Sequence, residues 1–220
     1  MIKAILFDIS GTLIDPKSSE RAHKMIISKI TKTTNKSLVE DIFKKFNEKV
    51  NEIFTEMSIR GDYLEYYKIC YKALKEVLGN QVSISEDEYK RLYVDTLANM
   101  EELFPEVKDV LEELKRKGYT LGVITDGDRE YTEKLLKKKS IITFFDIIVS
   151  AEDVRRYKPS KDVFIQALKM LDLSPDQVIY VGDNPIKDKI GPESVGIKAY
   201  IAKNGISKEF LKELLGETHE

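Results

Sequence analysis

The chain contains few residues of the types that mark several large classes of protein. Among its 220 residues there is one cysteine, Cys70, no tryptophan, and two histidines, His23 and His219. A single cysteine excludes an intramolecular disulfide framework and favours a reducing, cytoplasmic environment. His23 falls in a helical pattern, where we expect a packing or surface role, and His219 lies in the C-terminal tail. Neither histidine is therefore expected to act in catalysis.

Strong charge of one sign and long apolar runs are absent as well. Charged residues make up 34% of the chain, yet the formal net charge is only -2, so no electrostatic footprint for nucleic acid or an anionic membrane is present. No apolar run approaches the roughly 20 residues that span a bilayer. The first run is too short for a signal peptide and lacks its cleavage site. We therefore expect a cytoplasmic monomer or homodimer, with neither nucleic acid nor membrane as a partner.

What the chain does contain is a series of short apolar runs, each with the length of a buried strand. Continuous apolar runs, rather than alternating ones, favour strands that are covered on both faces, as in parallel sheets. Helical patterns separate the later runs, so residues 106–220 predict repeated strand–helix–strand units. The predicted strands are residues 2–7, 119–124, 145–149, 178–181 and a shorter run at 197–201.

Residues 16 to about 98 do not follow this alternation of strands and helices. They hold no convincing strand, and apolar side chains such as Tyr63 and Tyr66 recur at helical spacing. Gly61 and Gly79 are the expected breaks between helices. A helical segment is therefore predicted to be inserted after the first strand.

The expected fold class is α/β, with a parallel-sheet core and a helical insert. The core is predicted to comprise residues 1–14 and 99–220, and the insert residues 15–98. A chain of 220 residues, of which 42% are apolar, is long enough for a core of this kind and a smaller second domain.

Four short polar stretches follow the ends of predicted strands. In an open α/β sheet, ligands bind at the edge where the carboxyl ends of the strands meet. We therefore expect the four stretches to gather into one site. They are residues 8–12, 125–127, 157–159 and 182–188.

The side chains in these stretches suit the transfer of a phosphoryl group. Asp8, at a rigid strand end, can attack phosphorus and form an aspartyl-phosphate. Thr125 supplies a hydroxyl, Gly127 lets the backbone approach an oxyanion, and Lys158 supplies positive charge for the phosphoryl oxygens. Asp126 is expected to line the pocket entrance, where it contributes to substrate binding.

Asp183 and Asp188 supply oxygens for a metal ion. Mg²⁺ binds proteins through one or two carboxylates and keeps several of its waters. Asp188 can complete the metal shell or hold Lys158. The sequence therefore predicts Mg²⁺ as the cofactor.

Taken together and in this order, the four stretches resemble those of the haloacid dehalogenase-like hydrolase superfamily. The resemblance spans residues 8 to 188. It implies a Rossmann-like core with an α-helical cap inserted after the first strand, and Mg²⁺ ligands from Asp8, the Ser10 backbone carbonyl and Asp183. It also implies hydrolysis of a small phosphorylated metabolite, with Asp8, Ser10 and Lys158 at the catalytic positions.

Ser10 departs from the pattern of the phosphatases in this superfamily, which usually carry a second aspartate there. That aspartate protonates the leaving oxygen and then activates water, and a serine hydroxyl has far too high a pKa for either task. General acid–base catalysis typically contributes about 10²–10⁴-fold. Three interpretations stay open: a slow phosphatase, a phosphatase for a good leaving group such as an acyl phosphate, or an enzyme of another kind.

The main alternative is a 2-haloacid dehalogenase, because halide leaves without a proton and the dehalogenases also lack the second aspartate. Residues 150–152 and 157–159 are similar to theirs as well. The Gly182–Asp183 pair argues against this alternative, since dehalogenation needs no metal and the dehalogenases lack that pair. A binding protein that keeps the fold and has lost turnover is a further alternative. Phosphatase-type hydrolysis is the function we predict.

Two other aspartates near the site have local roles in this interpretation. Asp128 is expected to cap the helix that begins near Arg129, because an aspartate just before a helix can accept hydrogen bonds from its first free N–H groups. Asp15 is expected to be a hinge or a cap residue rather than a catalytic group.

Overall fold

The apolar runs form the five strands of one parallel sheet. The computed structural model of the protein describes residues 1–216, and its strands are β1 (Ala4–Phe7), β2 (Thr120–Thr125), β3 (Ile147–Ser150), β4 (Val178–Gly182) and β5 (Lys198–Ile201). The strand order is β3-β2-β1-β4-β5. β1 is central, so that Ala4 pairs with Thr120 on one side and with Val178 on the other. The predicted α/β class is confirmed.

Four helices occupy the insert between β1 and β2. They are α1 (Pro16–Thr31), α2 (Lys36–Arg60), α3 (Tyr66–Leu78) and α4 (Glu86–Met100). The Asp15 carboxylate accepts a hydrogen bond from the Lys17 N–H, and this confirms its predicted role as a cap. Gly61 and Gly79 follow the last residues of α2 and α3, as predicted. Tyr63 lies outside both helices, because α2 has already ended at the left-handed Gly61.

The two chain segments that connect the insert to the sheet lie side by side. The Asp15 N–H donates to Glu102 O at 2.9 Å, and the Phe104 N–H donates to Leu13 O at 3.0 Å. These bonds define a narrow junction between the insert and the sheet. The division into a cap of residues 15–98 and a core formed by the rest of the chain stays a prediction.

Within residues 1–216, six further α-helices belong to the part of the chain that contains the sheet. They are α5 (Val107–Arg116), α6 (Arg129–Lys138), α7 (Ala151–Val154), α8 (Lys161–Leu171), α9 (Gly191–Glu193) and α10 (Lys208–Leu215). Alternate side chains of a strand point to opposite faces. Ile5 and Phe7 belong to the same apolar cluster as Val107 of α5, whereas Leu6 belongs to the cluster of Phe164 in α8. Both faces are thus covered, which explains the unbroken apolar runs. None of the helices within residues 1–216 is long and apolar enough to cross a membrane.

The third strand differs from its prediction at both ends. The apolar run covers residues 145–149, but the strand begins at Ile147 and ends at Ser150. The Asp146 carboxylate accepts hydrogen bonds from the Leu121 N–H and from the Lys115 ammonium group, each at 2.9 Å. Asp146 therefore anchors the turn that leads into β3 and is not part of the strand.

His23 packs inside the insert, as predicted. Its ring centroid lies 5.5 Å from that of Phe46 and 5.9 Å from that of Tyr93. Burial among these rings lowers the pKa of His23 to about 4, so the side chain is neutral at pH 7. His219 lies outside the described residues.

Candidate active site

The polar stretches meet at the carboxyl edge of the sheet, as expected for loops that follow parallel strands. β1 leads into Asp8, whose N–H donates to Val181 O of β4 at 2.9 Å. β4 leads into Asp183, and Asp188 follows within a short π-helix (Ile186–Ile190). Asp8, Asp183 and Asp188 each place one carboxylate oxygen within 4.8 Å of those of the other two. Three carboxylates thus share one small volume.

Lys158 is buried between two of these carboxylates. Its Nζ donates to Asp8 Oδ1 at 2.7 Å, to Asp188 Oδ1 at 2.6 Å and to Tyr180 Oη at 3.0 Å, so each of its three hydrogens has a partner. Burial alone lowers the pKa of the ammonium group. The interactions with Asp8, Tyr180 and Asp188 outweigh burial and raise the pKa of Lys158 well above its usual value. Lys158 is therefore a permanent cation in contact with Asp8.

The two carboxylates beside Lys158 are held differently. Asp188 Oδ2 accepts hydrogen bonds from the N–H groups of Asp183 and Asn184, at 3.2 and 2.9 Å. Burial raises the pKa of Asp188, but Lys158 and these hydrogen bonds outweigh it and hold the pKa below its usual value. For Asp8, burial is the largest effect and raises the pKa against the opposing charge of Lys158. Asp188 is thus the fixed anion that orients Lys158.

Two glycines leave room for the carboxylates. Gly11 has a φ of +79°, in the left-handed region that favours glycine, and a Cβ there would lie 2.2 Å from Asp183 Oδ2. A Cβ on Gly182 would lie 2.3 Å from the Cβ of Asp188. Any larger residue at either position would displace a carboxylate from the cluster.

The turn after β2 is held by its own hydrogen bonds. The Gly127 N–H donates to Thr125 Oγ1 at 3.0 Å, which leaves the Thr125 hydroxyl hydrogen to serve as a donor. Asp126 Oδ1 accepts from the Lys158 N–H at 2.8 Å, and its Oδ2 pairs with Lys187 Nζ at 3.0 Å. Asp126 therefore joins this turn to the loop that carries Lys158. Its contact with substrate stays a prediction.

Ser10 lies two residues after Asp8 and is exposed to solvent. It belongs to a tight turn in which the Gly11 N–H donates to Ile14 O at 2.8 Å. The position two residues after Asp8 thus carries a neutral hydroxyl and no carboxylate. The use of the Ser10 carbonyl as a metal ligand stays a prediction.

Tyr180 was not among the predicted site residues. Its buried hydroxyl accepts a hydrogen bond from Lys158 Nζ and donates one to Asp188 Oδ1 at 3.0 Å. Its ring packs edge-on against Phe164, with the ring centroids 5.2 Å apart. A signal was present in the sequence, because Tyr180 is the one polar side chain in the apolar run 178–181 and a buried hydroxyl needs a partner.

Replacing Tyr180 by phenylalanine should lower kcat of the phosphatase reaction predicted from the sequence by about tenfold, because Lys158 loses one of its three partners and a hydrogen bond to a charged group is typically worth about 1.5–3 kcal/mol. Steady-state kinetics and a thermal unfolding curve test this. The matched control is Tyr89→Phe, since the Tyr89 hydroxyl is buried and has no hydrogen-bond partner within residues 1–216. Equal kcat values in the Y180F variant and the unchanged protein would show that the hydroxyl does not position Lys158.

The prediction that Asp128 caps α6 with its side chain is wrong. Asp128 immediately precedes α6, but its carboxylate makes no hydrogen bond to that helix. The Arg129 N–H donates to Glu152 Oε2 at 3.0 Å instead. The two oxygens of Asp128 accept from the N–H groups of Tyr66 and Tyr67, at 2.6 and 2.9 Å, in the first turn of α3. N–H groups in the first turn of a helix have no partner within that helix. Those of Tyr66 and Tyr67 bind the Asp128 carboxylate, which therefore does not cap α6.

The parallel sheet, the carboxylates and buried lysine at its carboxyl edge, and the helical insert after its first strand define a class of hydrolytic enzyme. The family model described as haloacid dehalogenase-like hydrolase matches residues 5–202. The chain belongs to this family and is therefore a hydrolase. The predicted superfamily and the Rossmann-like core are both confirmed.

The similar proteins carry names from two kinds of chemistry. The chain is 27% identical over 202 residues to a protein named pyrophosphatase PpaX from Bacillus mycoides, an alignment that covers 90% of this chain and 81% of the relative. The L-2-haloacid dehalogenase of Xanthobacter autotrophicus has a similar structure, with a TM-score of 0.75, 23% identity, and coverage of 99% of this chain and 84% of that one. The Bacillus subtilis protein YfnB, solved with bound magnesium, has a TM-score of 0.78 at 19% identity. The alignment covers 98% of this chain and 99% of the YfnB chain.

Proposed function

We propose that the protein is a Mg²⁺-dependent phosphatase that hydrolyses a small phosphorylated metabolite through an aspartyl-phosphate on Asp8. The observation that carries this proposal is the contact of Asp8 with a buried, permanently charged lysine inside a cluster of three carboxylates. A carboxylate beside such a cation is suited to attack an anionic phosphorus centre. We also propose a cytoplasmic protein whose helical insert, residues 15–98, closes over the site and selects the substrate.

The residues at the site fit Mg²⁺. The oxygens of Asp8, Asp183 and Asp188 lie within 4.8 Å of one another, and hard carboxylate oxygens are the ligands this ion prefers. Asp8, Asp183 and the Ser10 carbonyl would hold the ion, with Asp188 ordering the cluster. When bound, Mg²⁺ supplies positive charge that offsets the negative charge of the phosphoryl oxygens.

The chain's own residues account for the first chemical step. An Asp8 carboxylate oxygen attacks phosphorus, the bond from phosphorus to the leaving oxygen breaks, and its electron pair stays on the leaving oxygen. Lys158 and the Thr125 hydroxyl stabilise the phosphoryl oxygens as charge shifts. Asp188 holds Lys158 in place through the 2.6 Å hydrogen bond to its Nζ.

Ser10 limits which leaving groups this step can release. An alkoxide leaves poorly without a proton, and the serine hydroxyl cannot supply one at neutral pH. A carboxylate or a phosphate leaves readily without protonation. We therefore favour acyl phosphates and phosphoanhydrides over alkyl phosphates as substrates, and the likeness to proteins named pyrophosphatase supports including pyrophosphate.

Dehalogenation is the second candidate, supported by the neutral residue at Ser10 and by the structural likeness to haloacid dehalogenases. In that reaction Asp8 would attack carbon and displace halide, and the ester would then be hydrolysed. The Asp183–Asp188 pair favours the phosphatase, because dehalogenation has no use for a cluster of metal-binding carboxylates.

Phosphate release from acetyl phosphate, pyrophosphate and p-nitrophenyl phosphate, with Mg²⁺ and with a chelator, tests the proposal. We expect release that depends on Mg²⁺ and is lost in the Asp8→Asn variant, since the amide cannot act as the nucleophile. Pure, folded protein that releases no phosphate from any of the three would contradict it. Halide release from 2-chloropropionate without metal would support dehalogenation instead.

A further inference from the structure

Three loops at the carboxyl edge of the sheet each send a side chain to the helical insert. The turn after β2 contributes Asp128, the segment after α7 contributes Tyr157, and the π-helix after β4 contributes Lys187. Each of these residues stands directly beside a predicted site residue in the chain. Asp128 and Tyr157 reach the lid segment (residues 61–67), which joins α2 to α3 and includes the first two residues of α3.

The contacts of Tyr157 and Lys187 are largely aromatic. The Tyr157 hydroxyl donates to Leu64 O. Its ring centroid lies 5.3 Å from that of Tyr63 and 4.6 Å from that of Phe54 in α2. Lys187 Nζ lies 3.9 Å from the Phe54 ring centroid, a cation–π distance. Tyr157 therefore forms aromatic contacts with Phe54 and with Tyr63 of the lid segment.

The contact of Asp128 is polar, and it gives hydrogen-bond partners both to the carboxylate and to the N–H groups of α3. Its two oxygens accept from the Tyr66 and Tyr67 N–H groups, and the residue is 5% exposed. The side chain of Glu65, which precedes α3, accepts no hydrogen bond from the backbone N–H groups of that helix's first turn. The first turn of α3 is thus capped from the opposite side of the interface. Lifting the lid segment would leave two helix N–H groups and a carboxylate without their partners.

We propose that Asp128 is a positioning residue that holds the lid segment closed over the active site and keeps it in register with the Thr125–Gly127 turn. Its expected effect on phosphoryl transfer rests on the proposed function. A closed lid excludes water and fixes the groups around the substrate. Helix α4 packs against α6, so this contact between the insert and the part of the chain that contains the sheet persists when the lid segment lifts.

The Asp128→Asn variant gives the first test. Asparagine has the same shape but only one acceptor oxygen, and its NH₂ group faces a backbone donor. Amide hydrogen exchange of the lid segment should become about tenfold faster or more, because a hydrogen bond to a charged group is lost. The control is Ser85→Ala, which removes the side-chain cap of α4, a hydrogen-bond pair with Glu88 that lies within the insert. Lid exchange in S85A should equal that of the unchanged protein.

A second pair of variants removes the donor and leaves Asp128 in place. Tyr66→Ala and Tyr66→Pro both lack the ring, but only proline also lacks the N–H. Proline suits the first position of a helix, and Glu65 has φ -55° and ψ 139°, a conformation that is favourable before proline. Exchange at Tyr67 and the following amides should be faster in Y66P than in Y66A. This difference should vanish when Asp128 is also replaced by alanine.

These measurements separate the lid inference from the proposed function. Unchanged lid exchange in D128N, or no difference between Y66P and Y66A, overturns the inference even if phosphate release is normal. Faster lid exchange in D128N with no phosphate release from any variant supports the inference and contradicts the phosphatase. If both proposals hold, D128N lowers kcat/KM about tenfold while its thermal unfolding stays close to that of S85A.

Discussion

The Ser10→Asp variant should turn over alkyl phosphates about 10²-fold faster than the unchanged protein. The new carboxylic acid can protonate the leaving alkoxide and then, as a carboxylate, activate the water that hydrolyses the proposed aspartyl-phosphate. General acid–base catalysis by a positioned group typically contributes about 10²–10⁴-fold, and we take the lower end because the surroundings of Ser10 have not been shaped for an acid. Ser10 is exposed, so an aspartate fits there without repacking the interior.

The gain should depend on the leaving group. Acetyl phosphate releases a carboxylate, which needs no proton, so only the hydrolysis step can benefit from the new residue. The unchanged protein should therefore show a steep fall in rate from acetyl phosphate through p-nitrophenyl phosphate to an alkyl phosphate, and S10D a much flatter one.

The control for charge is Ser10→Asn, which adds similar volume and no titratable group. Rates are measured for the three proteins on the same series at saturating Mg²⁺. A large loss in S10D on every substrate would mean that the serine has a role of its own. Similar rates of the unchanged protein on all three substrates would mean that another residue protonates the leaving group.

The parts of the structure that were predicted correctly depend on local pattern and on topology. The apolar runs identify the strands, and once the strands are parallel their carboxyl ends must share an edge. This argument places Asp8 and Asp183 together without any knowledge of side chains. The need for glycine at positions 11 and 182 is explained only by the structure. Asp183 approaches Gly11 from another part of the chain, and Asp188 approaches Gly182 from the π-helix that follows β4.

The parts that were missed depend on contacts between distant residues. Asp128 bonds to Tyr66, and the two are 62 positions apart in the chain. Its local pattern is that of an ordinary helix cap, and nothing near it in the sequence shows that α3 lacks a cap of its own. Tyr180 is similar, because its hydroxyl is explained by Lys158, which lies 22 positions away. Sequence periodicity reports which face a residue occupies and not which polar group it meets there.

The Lys158→Met variant should lose activity about 10²–10³-fold and should also be less stable. The loss of activity follows because the donor that we propose for the phosphoryl oxygens is removed. The loss of stability follows because Asp8 and Asp188 would be left as buried carboxylates with no cation between them. Breaking a buried ion pair by removing one partner typically costs about 3–5 kcal/mol. For a chain of this length that is a fall in Tm on the order of 10 °C.

The double variant Lys158→Met with Asp188→Asn separates these two effects. The amide oxygen of asparagine can still accept from the Asp183 and Asn184 N–H groups, and its NH₂ group can donate towards Tyr180 Oη. Removing one negative charge together with the positive one restores the charge balance of the site. The double variant should therefore regain much of the lost stability in the presence of a chelator, while its activity stays as low as that of K158M.

The single Asp188→Asn variant completes the cycle, because it keeps the lysine and removes only its fixed partner. A Tm for K158M equal to that of the unchanged protein would show that the buried carboxylates take up protons or water without cost. Recovery of activity along with stability in the double variant would show that Lys158 acts only by balancing charge. Recovery of stability alone is the result expected if Lys158 both neutralises the buried carboxylates and binds the phosphoryl group.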